Sequence, residues 1–291
     1  DEWALVRAGR HSIGDYLLLV SGFSREHTNG VLSDVTNKLR AIHEDLTTDA
    51  TRPMFEAFVR SLVRPLYDEL GMVPAPADDD NRRQLRAVAV DALGTIGNDP
   101  EVAATARTML DRALAGGAAL DPTLADAIVA VAAAHGDAKL FDALSDAADK
   151  ATSPEDRYRY LYALTDFTDP ALIDRGLQRV LTDRVRSQDA AISVAQFLAR
   201  PASRERAWTF VTEHWQAIAP KITIAGGDVN LVHAIGAFCD AASRDRVTSF
   251  FDAHPLPAAT RTLAQAQEQI GNCISLREKQ APQLTEWLNR R

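Results

Sequence analysis

Residues 43–47 come closest in this chain to a pattern that could bind a metal. Their sequence, His-Glu-Asp-Leu-Thr, approaches the His-Glu-x-x-His helix, in which two imidazoles one turn apart bind zinc and the glutamate acts as general base. Thr47 stands in place of the second histidine, and its hydroxyl is not a neutral nitrogen ligand. We therefore interpret this stretch as a solvated helix face and expect no metal there.

The other side chains with catalytic potential form no recognisable constellation. The sequence contains no Gly-x-Ser-x-Gly elbow, no phosphate-binding glycine loop and no Cys-x-x-Cys pair. Cys239 and Cys273 are too few for a disulfide framework, and we interpret both as small buried residues. The remaining histidines lack ligand spacing and are assigned to caps, turns or the surface: His11, His27, His135, His214, His233 and His254. We predict neither a catalytic residue nor a cofactor or metal in this chain.

Composition and charge narrow the class of partner. The chain has 291 residues, of which 46% are hydrophobic and 25% charged, and this composition is typical of a globular protein. The formal net charge is −8, with both signs interspersed, so a nucleic-acid or anionic-membrane partner is not expected. No apolar run approaches the roughly 18 residues of a transmembrane helix. The sequence is typical of a soluble protein.

Apolar residues recur at helical spacing throughout. One stripe shows the pattern clearly: Leu85, Val88, Ala89, Ala92, Leu93 and Ile96. Arg82, Arg83, Arg86 and Asp91 are expected outside this stripe. The strand-like residues 221–224 are too short and isolated to build a sheet. The sequence predicts an all-α fold.

Four helix starts are marked by an acid or serine followed by proline. The side-chain oxygen of such a residue can accept hydrogen bonds from the first turn, where proline sacrifices no donor. These pairs are Asp99-Pro100, Asp121-Pro122, Ser153-Pro154 and Asp169-Pro170.

The spacing of the turns indicates a repeat of helical pairs. Turns at residues 98–99, 136–137, 168–169 and 202–203 recur at intervals of roughly 33 to 38 residues, with further turns between them. Such pairs bury their apolar faces by stacking. We predict a right-handed α-solenoid of HEAT- or armadillo-like antiparallel helix pairs that forms a concave bowl. The repeats show no shared consensus.

The chain is expected to form a single helical domain, residues 1–291. Leading helices occupy residues 1–72, a surface connection rich in proline and aspartate follows at 73–81, and stacked helical pairs fill 82–291. The chain opens with Asp1 rather than methionine, in a helical pattern, which we interpret as a piece of a longer polypeptide. We expect a cytoplasmic protein, although any N-terminal signal would lie upstream.

Several segments resemble one family of enzymes. Residues 1–9, the segment from Arg200-Pro201 through Arg206-Ala207-Trp208-Thr209-Phe210-Val211 to Trp215, the pair Phe250-Phe251, and Ile270 with Trp287-Leu288 follow its order and spacing. They resemble the C-terminal helical domain of aminopeptidase N-like zinc metallopeptidases. From spacing alone, the aromatic residues among them are expected in a helix core.

This resemblance implies a multidomain aminopeptidase whose zinc and catalytic motifs lie in another domain. The helical domain would form a bowl over the active site, gate access and contact the peptide substrate beyond its first residues. Its partners would be the catalytic domain of the same polypeptide and peptide substrates. Arg200 is the one candidate for substrate binding, because a guanidinium suits a peptide carboxylate; the alternative is an exposed arginine that ends a helix. A free-standing HEAT-like interaction scaffold is the rival function.

Overall fold

The structure is a computed structural model that describes residues 2–291, apart from the side chain of Ala225. About three quarters of the chain is helical and no β-strand occurs among residues 2–291, which confirms the predicted all-α class. Within the same residues, no helix combines the length and hydropathy needed to span a bilayer.

The chain divides into two compact units. One unit contains the residues up to His135 together with Leu276–Arg291, and the other contains Gly136–Ser275. The helices of the first unit are α1 (Glu2–Arg7), α2 (Ile13–Ser21), α3 (Asn29–Asp45), α4 (Arg52–Leu70), α5 (Asp80–Asp91), α6 (Pro100–Leu114) and α7 (Pro122–Ala134).

The second unit contains a second series of helices. They are α8 (Ala138–Lys150), α9 (Pro154–Ala163), α10 (Pro170–Val180), α11 (Ser187–Ala199), α12 (Arg204–Glu213), α13 (Trp215–Ile222), α14 (Gly227–Ile235), α15 (Ala241–Ala253) and the first half of α16 (Thr260–Asn289). The turns predicted at residues 98–99, 136–137, 168–169 and 202–203 all fall between helices. The handedness and curvature of the solenoid stay predictions.

All four predicted helix starts are capped as expected. The Asp99 carboxylate accepts hydrogen bonds from the backbone amides of residues 101 and 102, and Asp169 accepts from residues 171 and 172 in the same way. Asp121 and Ser153 cap α7 and α9. Because each cap satisfies amides that the helix cannot, these residues fix where α6, α7, α9 and α10 begin.

The apolar stripe that starts in α5 continues through a π-helical turn, Ala92–Ile96, and is buried except at the partly buried Val88; one predicted surface residue is also buried. Arg86 is only 1% exposed, so its assignment outside the stripe is wrong. Its Nη2 donates to the Leu70 carbonyl at 3.0 Å and to the Asp78 carboxylate at 2.6 Å. The guanidinium therefore donates hydrogen bonds to backbone carbonyls at the C-terminal end of α4, which have no partner within the helix.

Residues 73–79 are non-helical, and α5 begins at Asp80. This segment lies inside the first unit and is held there by Asp78, whose side chain is 5% exposed and pairs with Arg86. Asp78 also accepts a hydrogen bond from the Ala75 amide at 2.8 Å, and these contacts hold the pKa of its carboxyl below the usual value. The segment is thus an anchored loop.

Candidate interaction surface

His43 lies in a half-buried environment, and the prediction of a solvated helix face is wrong. Its Nε2 lies 3.4 Å from the Glu56 carboxylate of α4, and its ring packs near Phe55 with centroids 6.3 Å apart. Burial lowers the pKa of His43, and the nearby carboxylate offsets part of this effect. The sequence missed this because α4, which covers His43, is a separate helix.

The same helix does not fit a zinc ion. Thr47 follows the end of α3, and its hydroxyl donates to the backbone carbonyl of His43 at 2.6 Å, so it is occupied in closing the helix end. A zinc site of the His-Glu-x-x-His type needs a second imidazole at this position. Residues 43–47 therefore stabilise the first unit and supply no ligand pair.

Cys239 and Cys273 form a disulfide, which corrects their interpretation as separate buried residues. Their Cα atoms lie 5.2 Å apart, within bridging range, and 34 residues separate them in sequence. Cys239 is 6% exposed, and Cys273 is only partly buried. The bond joins the turn before α15 to α16.

The aromatic segments that resemble the aminopeptidase domain pack against one another in the second unit. Trp208 of α12 meets Phe250 of α15 edge to face, with ring centroids 5.3 Å apart, and Trp215 meets the same ring at 5.1 Å. Phe251 and Phe238 complete the cluster. Trp208 is 4% exposed, so its predicted core position is confirmed; Trp215 is half-buried.

Helices α12 and α15 share a local motif that the sequence analysis missed. In α12, His214 stacks on Phe210 with centroids 4.4 Å apart, and in α15, His254 stacks on Phe250 at 4.5 Å. Each histidine ends its helix, and its Nδ1 lies about 3 Å from the carbonyl oxygen of its phenylalanine.

A ladder of ion pairs connects four helices of the second unit. In each step an acid of one helix pairs with an arginine of the next helix in the ladder. The steps are Asp142 with Arg175, Asp174 with Arg206 at 2.8 Å, and Glu205 with Arg246 at 3.0 Å. The ladder crosses α8, α10, α12 and α15, and each middle helix contributes an adjacent acid and arginine. We call this the charged face.

Two open grooves lie along the charged face, one on each side of α12. The α10–α12 groove has a volume of about 520 Å³, and the α12–α15 groove about 490 Å³. The first groove is lined by acidic, basic and aromatic side chains, among them Asp174, Glu205, Arg206, Phe210, Glu213 and His214. Trp208 and Thr212 of α12 and Asp245, Arg246 and Phe250 of α15 are among the residues that line the second.

Arg200, the predicted substrate-binding residue, lies outside both grooves. Its Nε donates to the Asp166 carboxylate at 2.7 Å, and its Nη1 donates to the Gln196 carbonyl at 3.2 Å. Its side chain is one third exposed. The guanidinium is therefore a second donor to the Gln196 carbonyl, which also accepts from the Arg200 amide, and part of the side chain stays accessible.

The charged face could have been found from the sequence. The dipeptides Asp174-Arg175, Glu205-Arg206 and Asp245-Arg246 recur at intervals of 31 and 40 residues, and the last two are each followed by a phenylalanine and then a histidine at equal distances. An acid beside an arginine on a helix is common, so the signal becomes visible only when the repeats are aligned.

Comparison with known proteins agrees with this architecture. Residues 1–272 match the family model described as the ERAP1-like C-terminal domain. Aminopeptidase 2 of Candida albicans is 26% identical over 296 residues, covering 99% of this chain. Alanine/arginine aminopeptidase of Saccharomyces cerevisiae is 24% identical, and Aminopeptidase M1 of Arabidopsis thaliana 26%, each over 93% of the chain.

The chain spans about a third of the length of these relatives, 32% of the Candida protein and 31% of the Arabidopsis protein. The family match covers nearly the whole chain and includes the aromatic segments that pack between α12 and α15. The chain therefore belongs to the ERAP1-like C-terminal domain family.

Proposed function

We propose that this chain is the non-catalytic C-terminal domain of a zinc aminopeptidase that removes N-terminal residues from peptides. It walls and gates the substrate chamber and contacts the peptide beyond its N-terminal end. Zinc and the residues that activate water belong to a catalytic domain elsewhere in the same polypeptide, which is the main partner of this chain.

The observation that carries the proposal is the family match over residues 1–272, together with relatives that are named aminopeptidases and are about three times as long. Thr47, which stands in place of the second zinc ligand, supports the assignment of catalysis to another domain. The grooves beside α12 support a role in contacting an extended chain, because they are open and lined by both aromatic and charged groups.

The first experiment separates this domain from an enzyme. The isolated chain is incubated with aminoacyl-anilide substrates and added zinc, and no hydrolysis is expected. Turnover that persists after repurification, and that is abolished by a chelator, would overturn the assignment.

The second experiment tests Arg200 in the longer polypeptide. We propose that its exposed edge binds the C-terminal carboxylate of a long peptide. Arg200→Ala is then expected to raise KM roughly five- to tenfold for that peptide, because one charge-assisted hydrogen bond is lost. The same peptide with a C-terminal amide, and a short anilide, should show no change in KM.

Arg175→Ala is the matched control, since Arg175 is also a partly exposed arginine paired with an aspartate of a neighbouring helix. If Arg200→Ala lowers the melting temperature but leaves KM unchanged for both forms of the peptide, Arg200 serves only as the partner of Asp166.

The rival function is a free-standing HEAT-like scaffold. The gene sequence upstream of Asp1 separates the two: a His-Glu-x-x-His helix encoded there supports the aminopeptidase, and a start codon directly before Asp1 supports the scaffold.

A further inference from the structure

The turn between α14 and α15 is anchored by three consecutive residues. Phe238, 2% exposed, packs edge to face on Trp208 of α12 with centroids 6.0 Å apart. Cys239 is bonded to Cys273 of α16. Asp240 caps α15 by accepting a hydrogen bond from the Ser243 amide at 2.8 Å. The start of α15 is therefore fixed to α12, to α16 and to its own first turn.

This anchoring bears directly on the α12–α15 groove. Helix α15 forms one wall of the groove with Arg246 and Phe250. Across the groove, Arg246 pairs with Glu205 of α12, but both side chains are about half exposed, and exposed ion pairs contribute little stability. Among the described residues, the disulfide is the one covalent bond between side chains, and it ties the turn before α15 to α16.

The two cysteine residues differ in exposure. Cys239 is buried, whereas Cys273 is only partly buried. A thiolate of a dithiol reductant can therefore attack the Cys273 sulfur. The S–S bond breaks, and Cys239 leaves as a thiolate that takes up a proton. The second thiol of the reductant then attacks the mixed disulfide, which releases Cys273 as a thiol and leaves the reductant as a cyclic disulfide.

We propose that the Cys239–Cys273 bond is a reducible clamp that holds α15 in place and so makes the α12–α15 groove sensitive to redox conditions. Oxidising compartments keep such a bond closed, and dithiol reductants of the cytoplasm, where the sequence analysis places the chain, keep it open. The clamp is independent of the proposed peptidase function.

The test compares the oxidised chain with the chain treated with dithiothreitol under native conditions. Iodoacetamide labelling followed by mass spectrometry should find both cysteines unlabelled before reduction and labelled after it. Amide hydrogen exchange of Ala241–Ala253 should become at least about tenfold faster on reduction, because local opening of α15 is no longer restrained. Exchange of Pro100–Leu114 in the first unit serves as the internal control and should not change.

A double variant, Cys239→Ser with Cys273→Ser, should show the faster exchange with or without dithiothreitol. If this variant does not fold, reduction and reoxidation of the unaltered chain still give the answer, since the slow exchange must return on reoxidation. Labelling of both cysteines before any reductant is added overturns the proposal. So does failure of dithiothreitol to reduce the native chain, or unchanged exchange of α15 in the reduced chain.

Discussion

The side-chain oxygen of Gln280 accepts a hydrogen bond from the backbone amide of Ile13, at 2.9 Å and across 267 residues of sequence. The Gln280 amide nitrogen donates to the carbonyls of Val6 and His11, each at 3.1 Å. The side chain is 1% exposed, so one glutamine from α16 satisfies three buried or part-buried backbone groups around the start of α2.

Gln280→Leu is expected to destabilise the first unit by about 2–4 kcal/mol, because it removes the side-chain partner of the Ile13 amide and of the His11 carbonyl, while the Val6 carbonyl keeps only the Gly9 amide. Thermal and urea unfolding followed by circular dichroism measure the change. Gln283→Leu is the control, as Gln283 is exposed on the same helix and its replacement should shift stability by less than about 0.5 kcal/mol. Equal effects of the two variants would contradict the role of Gln280.

The caps at Asp99 and Asp169 should respond differently to asparagine. Both carboxylates cap a helix through Oδ1, a role that asparagine can keep. Asp99 is 2% exposed and also pairs with Arg64, whereas Asp169 is exposed. Asp99→Asn is therefore expected to cost about 1–3 kcal/mol, and Asp169→Asn less than about 0.5 kcal/mol, in urea unfolding. A loss at Asp169 as large as the loss at Asp99 would show that the ion pair with Arg64 is unimportant.

The ladder step between Asp174 and Arg206 should be weak and sensitive to salt. A double-mutant cycle with Asp174→Ala and Arg206→Ala is expected to give a coupling of roughly 0.2–1 kcal/mol, because both side chains are about half exposed. At about 1 M NaCl the Debye length falls to about 3 Å, and the coupling should approach zero. A coupling that is unchanged in high salt would indicate a packing contact instead.

Stability should fall as pH decreases through the range in which His43 titrates. Burial lowers the pKa of His43 in the folded chain, so below the unfolded value of about 6.5 the unfolded chain binds the proton more readily. His43→Gln removes this contribution. Its melting temperature should therefore decline less than that of the unaltered chain between about pH 7.5 and 5.5, measured by circular dichroism.

His27 provides the control of opposite sign. The hydrogen bond that His27 donates to the Glu69 carboxylate raises the pKa of His27, so its contribution to stability is present at low pH and is lost as pH rises through the folded value. His27→Gln should make the decline toward low pH steeper. Parallel curves for all three proteins would contradict both assignments.

Much of the helical framework is readable from local sequence. The residue pairs at Asp99, Asp121, Ser153 and Asp169 set four helix starts, because a cap acts on amides two or three residues away. The aromatic segment around Trp208 predicted a core helix for the same reason, since helical periodicity is a property of neighbouring residues.

Contacts between distant residues were not readable in this way. The sequence alone determined that the chain is all-α, where four of its helices begin, and which family it resembles, since these depend on short-range hydrogen bonding and patterning. Only the tertiary structure decided that Arg86 is buried, that Cys239 meets Cys273, and that Gln280 reaches Ile13. Those partners lie on separate helices, and their meeting depends on how the helices pack, which no local pattern specifies.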